Sequence, residues 1–228
     1  MNKQSISLMS QGEYLKAASF MNEAITKLES ALESIALEGD DIDFHKERGP
    51  QEVSLLDAAM VPLPSPLQVA AHDAQSPYHL HCAAASFFPN RGSISDKEFF
   101  QSVCDQDKVI CILNYNLGLC LLLYAISSGK TSQLNDASLA FQVALGVVNE
   151  TSQKLSDCQL ELAVLNNYGH AQFSLRKLTN VATCLERMQF ILADLTDDGD
   201  LPLAPALKIF YLNLVYNQML KNRPAPAA

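Results

Sequence analysis

Two histidines and a cysteine lie close together in the segment SPYHLHCAAASFFPN, at residues 76–90. Imidazole nitrogen and thiolate sulfur are common zinc ligands. Side chains two residues apart on a strand point to the same face, so His79 and His81 could share a metal ion. No fourth ligand follows at a recognisable spacing, and ordinary histidines on a docked loop are the other interpretation. Metal-binding or thiol-dependent activity at His79, His81 and Cys82 is therefore the alternative to the main prediction, which includes no metal and no cofactor.

Two further motifs resemble ligand-binding loops, but each lacks a required residue. SSGKTS at 127–132 ends like a phosphate-binding loop, yet Tyr124 replaces the first required glycine and a predicted helix precedes the motif. DLTDDGD, which starts at Asp194, has the acidic character of a calcium loop, yet Pro205 replaces the closing glutamate. We therefore predict a polar turn and a solvated acidic turn. With no nucleophile elbow, catalytic Cys and His pair or acid pair, the sequence does not indicate an enzyme.

A polar cluster interrupts an apolar helical stretch at 165–173, LNNYGHAQF. Its Asn-Tyr-Gly, from Asn167, recurs as Asn-Leu-Gly from Asn116. A glycine inside a helix costs about 1 kcal/mol relative to alanine, so its recurrence indicates that a neighbouring helix comes close there. We interpret the repeated Asn and Gly as packing residues, which leaves Asn166 and His170 for recognition.

Composition and charge limit the class of protein. The chain has 228 residues, of which 48% are hydrophobic, so it can bury a full core in one or two domains. Its richness in Leu, Ala and Ser favours helices. Sixteen basic residues against 25 acidic ones give a net charge of −9, which would repel a phosphate backbone. We predict no binding to nucleic acid.

The sequence shows no targeting or spanning signal. The start, MNKQSISLMSQGEY, lacks the features of a secretory signal or a transit peptide. The longest apolar run, at 117–126, is about half the length needed to span a bilayer. The six cysteines form no CxxC pair and are interpreted as free thiols. We expect a cytoplasmic protein, with the nucleus as a further possibility.

Helical periodicity is the clearest pattern in the sequence. Apolar or small residues spaced alternately three and four apart occur in three places that align without a gap. The three stripes are Tyr14, Ala17, Met21, Ala24, Leu28; Leu134, Ala137, Phe141, Ala144, Val148; and Leu178, Val181, Leu185, Met188, Leu192.

The Asn-Leu-Gly motif followed by such a stripe resembles the tetratricopeptide repeat, whose period is 34 residues. GEYLKAASFMNEA at 12–24 is the closest match to the second half of that repeat, although the first-helix Trp of the repeat is missing. The resemblance implies an all-α fold, a right-handed α-solenoid of about three helix pairs with a C-terminal capping helix. ILNYNLGLCLLLYA and AVLNNYGHAQFSL also resemble repeat-containing proteins from diatom-like algae, which implies no activity.

The predicted organisation has four parts. Residues 1–37 form the first helical repeat, and residues 38–95 form a long insertion that is partly disordered and contains a docked extended segment at 76–90. Residues 96–222 hold the second and third repeats with the capping helix, and 223–228 form a frayed tail. Helices are predicted at 2–10, 13–37, 96–127, 132–150, 153–175, 178–195 and 203–222, with a weaker helical pattern in VSLLDAAM at 53–60.

The resemblance also assigns an inner, concave surface to the helices. It implies a non-enzymatic scaffold that binds a protein or peptide partner there. No cation occupies the positions with which related repeats hold a peptide carboxylate, so an amphipathic helix or an extended apolar segment is expected. Whether the groove is free or filled by the insertion stays open. The groove residues would be Ile112, Tyr115, Leu119, Leu122, Asn166, His170 and Phe173.

Overall fold

Helices account for most of the described chain. A computed structural model describes residues 2–38, 56–63, 80–89, 103–148, 155–197 and 207–221. In these ranges the helices are α1 Asn2–Ser10, α2 Tyr14–Glu38, α3 Val103–Ser128, α4 Ser132–Val148, α5 Leu155–Ser174, α6 Leu178–Asp197 and α7 Lys208–Lys221. The strands are β1 Leu56–Pro62 and β2 Ala83–Pro89.

The predicted helices are all present, and their ends agree to within a few residues wherever the structure describes them. The all-α prediction is correct only in its larger part, because β1 and β2 form a small antiparallel sheet. The helical pattern proposed for 53–60 was wrong, since the described end of that stretch belongs to β1. The other predictions for the insertion, apart from residues 56–63 and 80–89, and the predicted tail lie outside the described residues.

Each helix packs against the next one along the chain, from α1 to α7. In addition, α3 contacts α5, and α5 contacts α7. The alternate helices α3, α5 and α7 therefore lie side by side, with α4 and α6 packed against them. Their contacts enclose one apolar core that runs from Met9 in α1 to Leu214 in α7.

The three aligned stripes contribute to this core to different extents. All five residues of the α4 stripe are buried, from Leu134 to Val148. In α2 the first three are buried, while Ala24 and Leu28 are half-buried. In α6 the stripe begins at Val181, because Leu178 is the first residue of the helix and is 60% exposed. The predicted phase is correct, but Leu178 does not belong to the core.

Two helix pairs are joined by turns of the same geometry. After α1, Gly12 N–H donates to the carbonyl of Met9, and the next N–H donates to the carbonyl five residues back. After α5, the N–H groups of Arg176 and Lys177 make the equivalent bonds. These are Schellman turns, in which the residue after the helix end adopts a left-handed conformation. Gly12 has φ 77° and Arg176 has φ 60°.

Gly118 allows α4 to approach α3 closely. A Cβ atom at this position would lie 2.7 Å from a ring carbon of Phe141. Phe141 is fully buried and its ring also lies 6.1 Å from that of Tyr115. The close helix approach predicted from the repeated glycine is therefore present at Gly118.

Helix α3 is the central apolar element. Among the described residues, it is the one helix that is long and apolar enough to cross a bilayer, over Asp105–Ser128. However, 83% of its most apolar stretch is buried inside the protein. A core helix of a folded domain has the same character. Its burial explains the apolar run at 117–126 as core packing.

The β-hairpin lies against the helices. Leu56 pairs with Pro89 at one end of the sheet and Pro62 with Ala83 at the other. β2 contacts α3 and α1, while β1 contacts α5. The described part of the extended segment predicted at 76–90 is residues 80–89, which we call the docked segment. It lies beside the helices that the resemblance assigns to the inner surface.

Candidate functional site

The docked segment makes hydrogen bonds on both of its edges. In an antiparallel pair, alternate residues direct their backbone N–H and C=O groups toward and away from the partner strand. Leu63 N–H donates to the carbonyl of Cys82 at 3.0 Å, which places the even-numbered residues on the β1 edge. The backbone groups of His81, Ala83 and Ala85 therefore face away from β1. In this protein, helix side chains bond the N–H and carbonyl of His81 and Ala85 and the carbonyl of Ala83.

Asn116 of α3 binds both backbone groups of Ala85. Its Oδ1 accepts from the Ala85 N–H at 2.8 Å, and its Nδ2 donates to the Ala85 carbonyl at 2.7 Å. Asn2 of α1 donates to the same carbonyl at 3.1 Å, and Asn116 Nδ2 donates to Asn2 Oδ1 at 3.0 Å. Because Asn116 is fully buried, these bonds are shielded from water.

Asn167 of α5 binds His81 in the same way. Its Oδ1 accepts from the His81 N–H at 3.0 Å, and its Nδ2 donates to the His81 carbonyl at 3.0 Å. Between the two asparagines, the Tyr115 hydroxyl donates to the Ala83 carbonyl at 2.7 Å. Burial raises the pKa of Tyr115 well above its ordinary value, so the hydroxyl keeps its proton. We call Asn2, Tyr115, Asn116 and Asn167 the asparagine clamp.

The clamp replaces a third strand. A neighbouring strand would bond the backbone of every second residue of β2, and the clamp does so at residues 81, 83 and 85. Tyr115 and Asn167 also contact each other, with Asn167 Nδ2 at 3.3 Å from the Tyr115 hydroxyl. The segment runs from α5 toward α3 as its numbering rises, opposite to the order of the helices. Backbone recognition of this kind is independent of the side chains of the bound segment.

The capping helix extends the polar network. Asn166 Nδ2 donates to Asn167 Oδ1 at 3.2 Å, and Asn213 of α7 donates to Asn166 Oδ1. All three asparagines are fully buried. Since buried amides are costly when unpaired, this chain of bonds fixes the side-chain orientation of Asn167. Helix α7 thereby holds Asn167 in place through Asn213 and Asn166.

The side chains of the docked segment are small or apolar where they are buried. Ala84 and Ala85 have no exposed surface, Ala83 is 5% exposed, and Leu80 is also buried. The His81 ring lies 5.0 Å from the ring of Phe210 in α7. Burial lowers the pKa of His81 to about 4, so the imidazole is neutral at pH 7. Among the described residues, its Nε2 atom has no hydrogen-bond partner.

The predicted groove residues are mostly enclosed. Ile112, Tyr115, Leu119, Leu122 and Asn166 have no exposed surface, and His170 is 4% exposed, whereas Phe173 is half-buried. Tyr115 donates a hydrogen bond to the docked segment. Asn166 instead bonds Asn167 and Asn213. An open groove at these residues is therefore not observed in this conformation.

The repeated asparagines do more than pack helices together. The sequence interpretation assigned Asn116 and Asn167 to helix packing and left Asn166 and His170 for recognition. In the structure Asn116 and Asn167 bond Asn2 and Tyr115 of neighbouring helices, and they also bind the backbone of the docked segment. A recognition role for Asn166 and His170 stays a prediction. The recurrence of Asn116 and Asn167 at equivalent positions of two helices was the signal that could have identified them. Asn2 and Phe210 had no such signal.

The proposed metal ligands are only partly described. His79 lies outside the described residues, so the cluster of three cannot be assembled from the structure. Among the described residues, no group of three or more His, Cys, Asp or Glu side chains could hold a metal ion. Burial raises the pKa of the Cys120 and Cys184 thiols to about 12, which keeps both protonated and weakly nucleophilic. Five of the cysteines are free thiols: Cys82, Cys111, Cys120, Cys158 and Cys184.

The SSGKTS motif forms a turn between α3 and α4. Gly129 has φ 71°, and the Ser128 hydroxyl donates back to the Tyr124 carbonyl at 2.6 Å. Residues 127–132 are exposed, as expected for a polar turn. In the acidic turn predicted from Asp194, residues 194–197 form the end of α6, and residues 198–200 lie outside the described residues.

Protein-family models, curated proteins and solved structures were compared with the chain, and none of the three comparisons found a match.

Proposed function

We propose that this protein is a non-enzymatic interaction scaffold, built of tetratricopeptide-like helix pairs, that binds an extended protein segment along the inner face of α3 and α5. The buried stripes, the two matching Schellman turns and the contacts between alternate helices support the repeat interpretation. The asparagine clamp supports the type of ligand. In this proposal the chain's own docked segment occupies the binding surface.

The paired bonds of Asn116 and Asn167 to the backbone carry the proposal. The two residues lie 51 positions apart, in equivalent helices of two helix pairs. Each supplies one acceptor and one donor to a single residue of an extended chain, which is what a neighbouring strand supplies in β-strand addition. The same chemistry fits an extended segment of another protein, because it uses only groups that every non-proline residue has.

A partner would have to displace the chain's own segment. The local concentration of a tethered segment is in the millimolar range for short flexible linkers, so a free competitor binds weakly while the segment is in place. Loss of the segment would expose buried amides of the clamp to water and make them available. The insertion is therefore an inhibitory element in this proposal.

A full-length variant that releases the segment tests the proposal. Ala85→Arg places a long charged side chain at a fully buried position of the docked segment, while the clamp side chains stay unchanged. Ala59→Arg is the matched control, because Ala59 lies at an exposed position of β1. The probe is a labelled peptide with the sequence of residues 78–89, and its binding is measured by fluorescence anisotropy.

We expect Ala85→Arg to bind the peptide, and the wild-type chain and Ala59→Arg to bind it at least about tenfold more weakly. Adding Asn116→Ala or Asn167→Ala to Ala85→Arg should weaken peptide binding about tenfold or more, because each substitution removes two hydrogen bonds and a buried group left unpaired costs about 1–3 kcal/mol. A helical circular-dichroism spectrum verifies that the variants are folded. A folded Ala85→Arg chain that does not bind the peptide would contradict the proposal.

A further inference from the structure

We propose that the partner segment is uncharged and carries small side chains at three consecutive positions. The full pattern is a leucine, a residue with a ring side chain, any residue, and then three small residues. This inference rests on the proposed function and specifies the ligand class of the same surface. The pattern corresponds to residues 80–85 of the chain itself. It is carried by burial of the segment side chains and not by the backbone bonds, which any sequence could make.

The small-residue requirement comes from Ala83, Ala84 and Ala85. Successive side chains of a strand point to opposite faces, so Ala84 points away from the face shared by Ala83 and Ala85. All three are nevertheless buried, and Ala84 and Ala85 are completely so. The segment is therefore covered on both faces at this point. Extra methylene groups inserted into a packed interior force side chains and backbone to shift, at a cost of about 1–3 kcal/mol.

The first two positions have a different environment. Leu80 is buried in the apolar core, so an aliphatic side chain is preferred there. The His81 ring packs against the Phe210 ring, and its buried Nε2 has no hydrogen-bond partner in the part of the chain that the structure describes. A neutral aromatic ring would fill this position at least as well, since it carries no unpaired polar atom. A lysine there would place a charge in an apolar contact.

The uncharged character follows from the surface that holds the segment. The four clamp side chains and Phe210 are all neutral, so none of them could pair with a charge on the ligand. Burying an unpaired charge is far more costly than burying an amide that is hydrogen-bonded. The net charge of −9 belongs to the whole chain and does not supply a specific partner at this surface.

A peptide series against the full-length Ala85→Arg chain tests this inference. The reference peptide has the sequence of residues 78–89. One variant carries Gly at the position of Ala84, two others carry Leu at the position of Ala84 or Ala85, and two more carry Phe or Lys at the position of His81. We expect the Gly and Phe peptides to bind within about fivefold of the reference, and the Leu and Lys peptides to bind at least about tenfold more weakly.

The outcomes separate the two proposals. If the reference peptide binds and the Leu and Lys peptides bind equally well, the sequence preference is wrong, while backbone binding by the clamp stands. If no peptide binds to the folded chain, both proposals fail. Should Ala85→Arg lose its helical spectrum, the same substitutions are made within residues 80–85 of the intact chain, and amide hydrogen exchange of 80–89 is measured. Equal protection in the Leu and Gly variants would then overturn the preference.

Discussion

At the scale of single residues, the two repeated asparagines are the most informative feature of the protein. An amide is the one neutral side chain that offers a donor and an acceptor in the geometry of a peptide group. Asn116 and Asn167 use both on one backbone residue each. The sequence revealed their recurrence, but helical phase alone could not show that a segment from elsewhere in the chain would lie against them.

Asn116→Ala should lower the free energy of unfolding by about 2–3 kcal/mol, because the buried N–H and C=O of Ala85 each lose the hydrogen bond that Asn116 makes to them. Asn114→Ala is the matched control on the same helix. Within the described residues Asn114 donates to the carbonyl of Ile110 in its own helix and makes no bond to the segment, so its loss should cost about 1 kcal/mol or less. Urea unfolding of both variants measures the difference, and equal destabilisation would contradict the assigned role of Asn116.

His81 makes the docking of the segment dependent on pH. Its pKa is about 4 in the docked state against an ordinary value of 6.5, because burial disfavours the charged ring. The released state therefore binds a proton that the docked state does not bind between these pH values. The contribution of His81 to the free energy of docking is fully present above about pH 6.5. It is lost as the pH falls toward 4, and the loss reaches about 3 kcal/mol.

The measurement compares the wild-type chain with His81→Phe, which keeps a ring against Phe210 but cannot take up a proton. The difference in unfolding free energy between the two should change between pH 7 and pH 4, with the wild type becoming relatively less stable. Contributions from other titrating groups cancel in this difference. A constant difference over the whole range would show that His81 is not buried as a neutral ring.

At the scale of elements, the sequence predicts the helices well and the hairpin poorly. The apolar stripes of α2, α4 and α6 repeat over about four turns each, which gives a strong periodic signal. VSLLDAAM is short, and a short apolar run fits a helix turn or a strand equally well. Its pairing partner starts about 21 residues after the end of β1, so no tight turn indicates the hairpin.

Gly118→Ala tests the contact between α3 and α4. The added Cβ would lie within 3 Å of the Phe141 ring, which is itself buried and cannot move freely. We expect a loss of about 1–3 kcal/mol in the free energy of unfolding, despite the better helix propensity of alanine.

Gly146→Ala in α4 is the matched control. Gly146 is exposed, and a Cβ there would meet no atom within 4 Å. This variant should gain about 0.5–1 kcal/mol from helix propensity alone. Thermal unfolding of both variants measures the difference in their stability. A Gly118→Ala protein as stable as Gly146→Ala would mean that the helices are not in close contact at Gly118.

At the scale of the whole molecule, the helices and the docked segment make different contributions to stability. The helices supply most of the continuous apolar core, whereas the segment adds only a few mostly small side chains to it and is held along its inner edge by hydrogen bonds from four side chains. An inhibitory segment must be able to leave while the scaffold that it covers stays folded. A proposal of displacement therefore requires that the segment open at a lower free energy than the helices.

Native-state hydrogen exchange of the full-length wild-type chain tests this requirement most directly. The amides of His81 and Ala85 report on the segment, and the amide of Leu119 reports on the buried centre of α3. We predict that the segment amides exchange with an opening free energy at least about 2 kcal/mol below that of Leu119, which corresponds to a roughly 30-fold difference in exchange rate. Equal opening free energies at all three amides would show that the hairpin unfolds only together with the helices, and would contradict a displaceable segment.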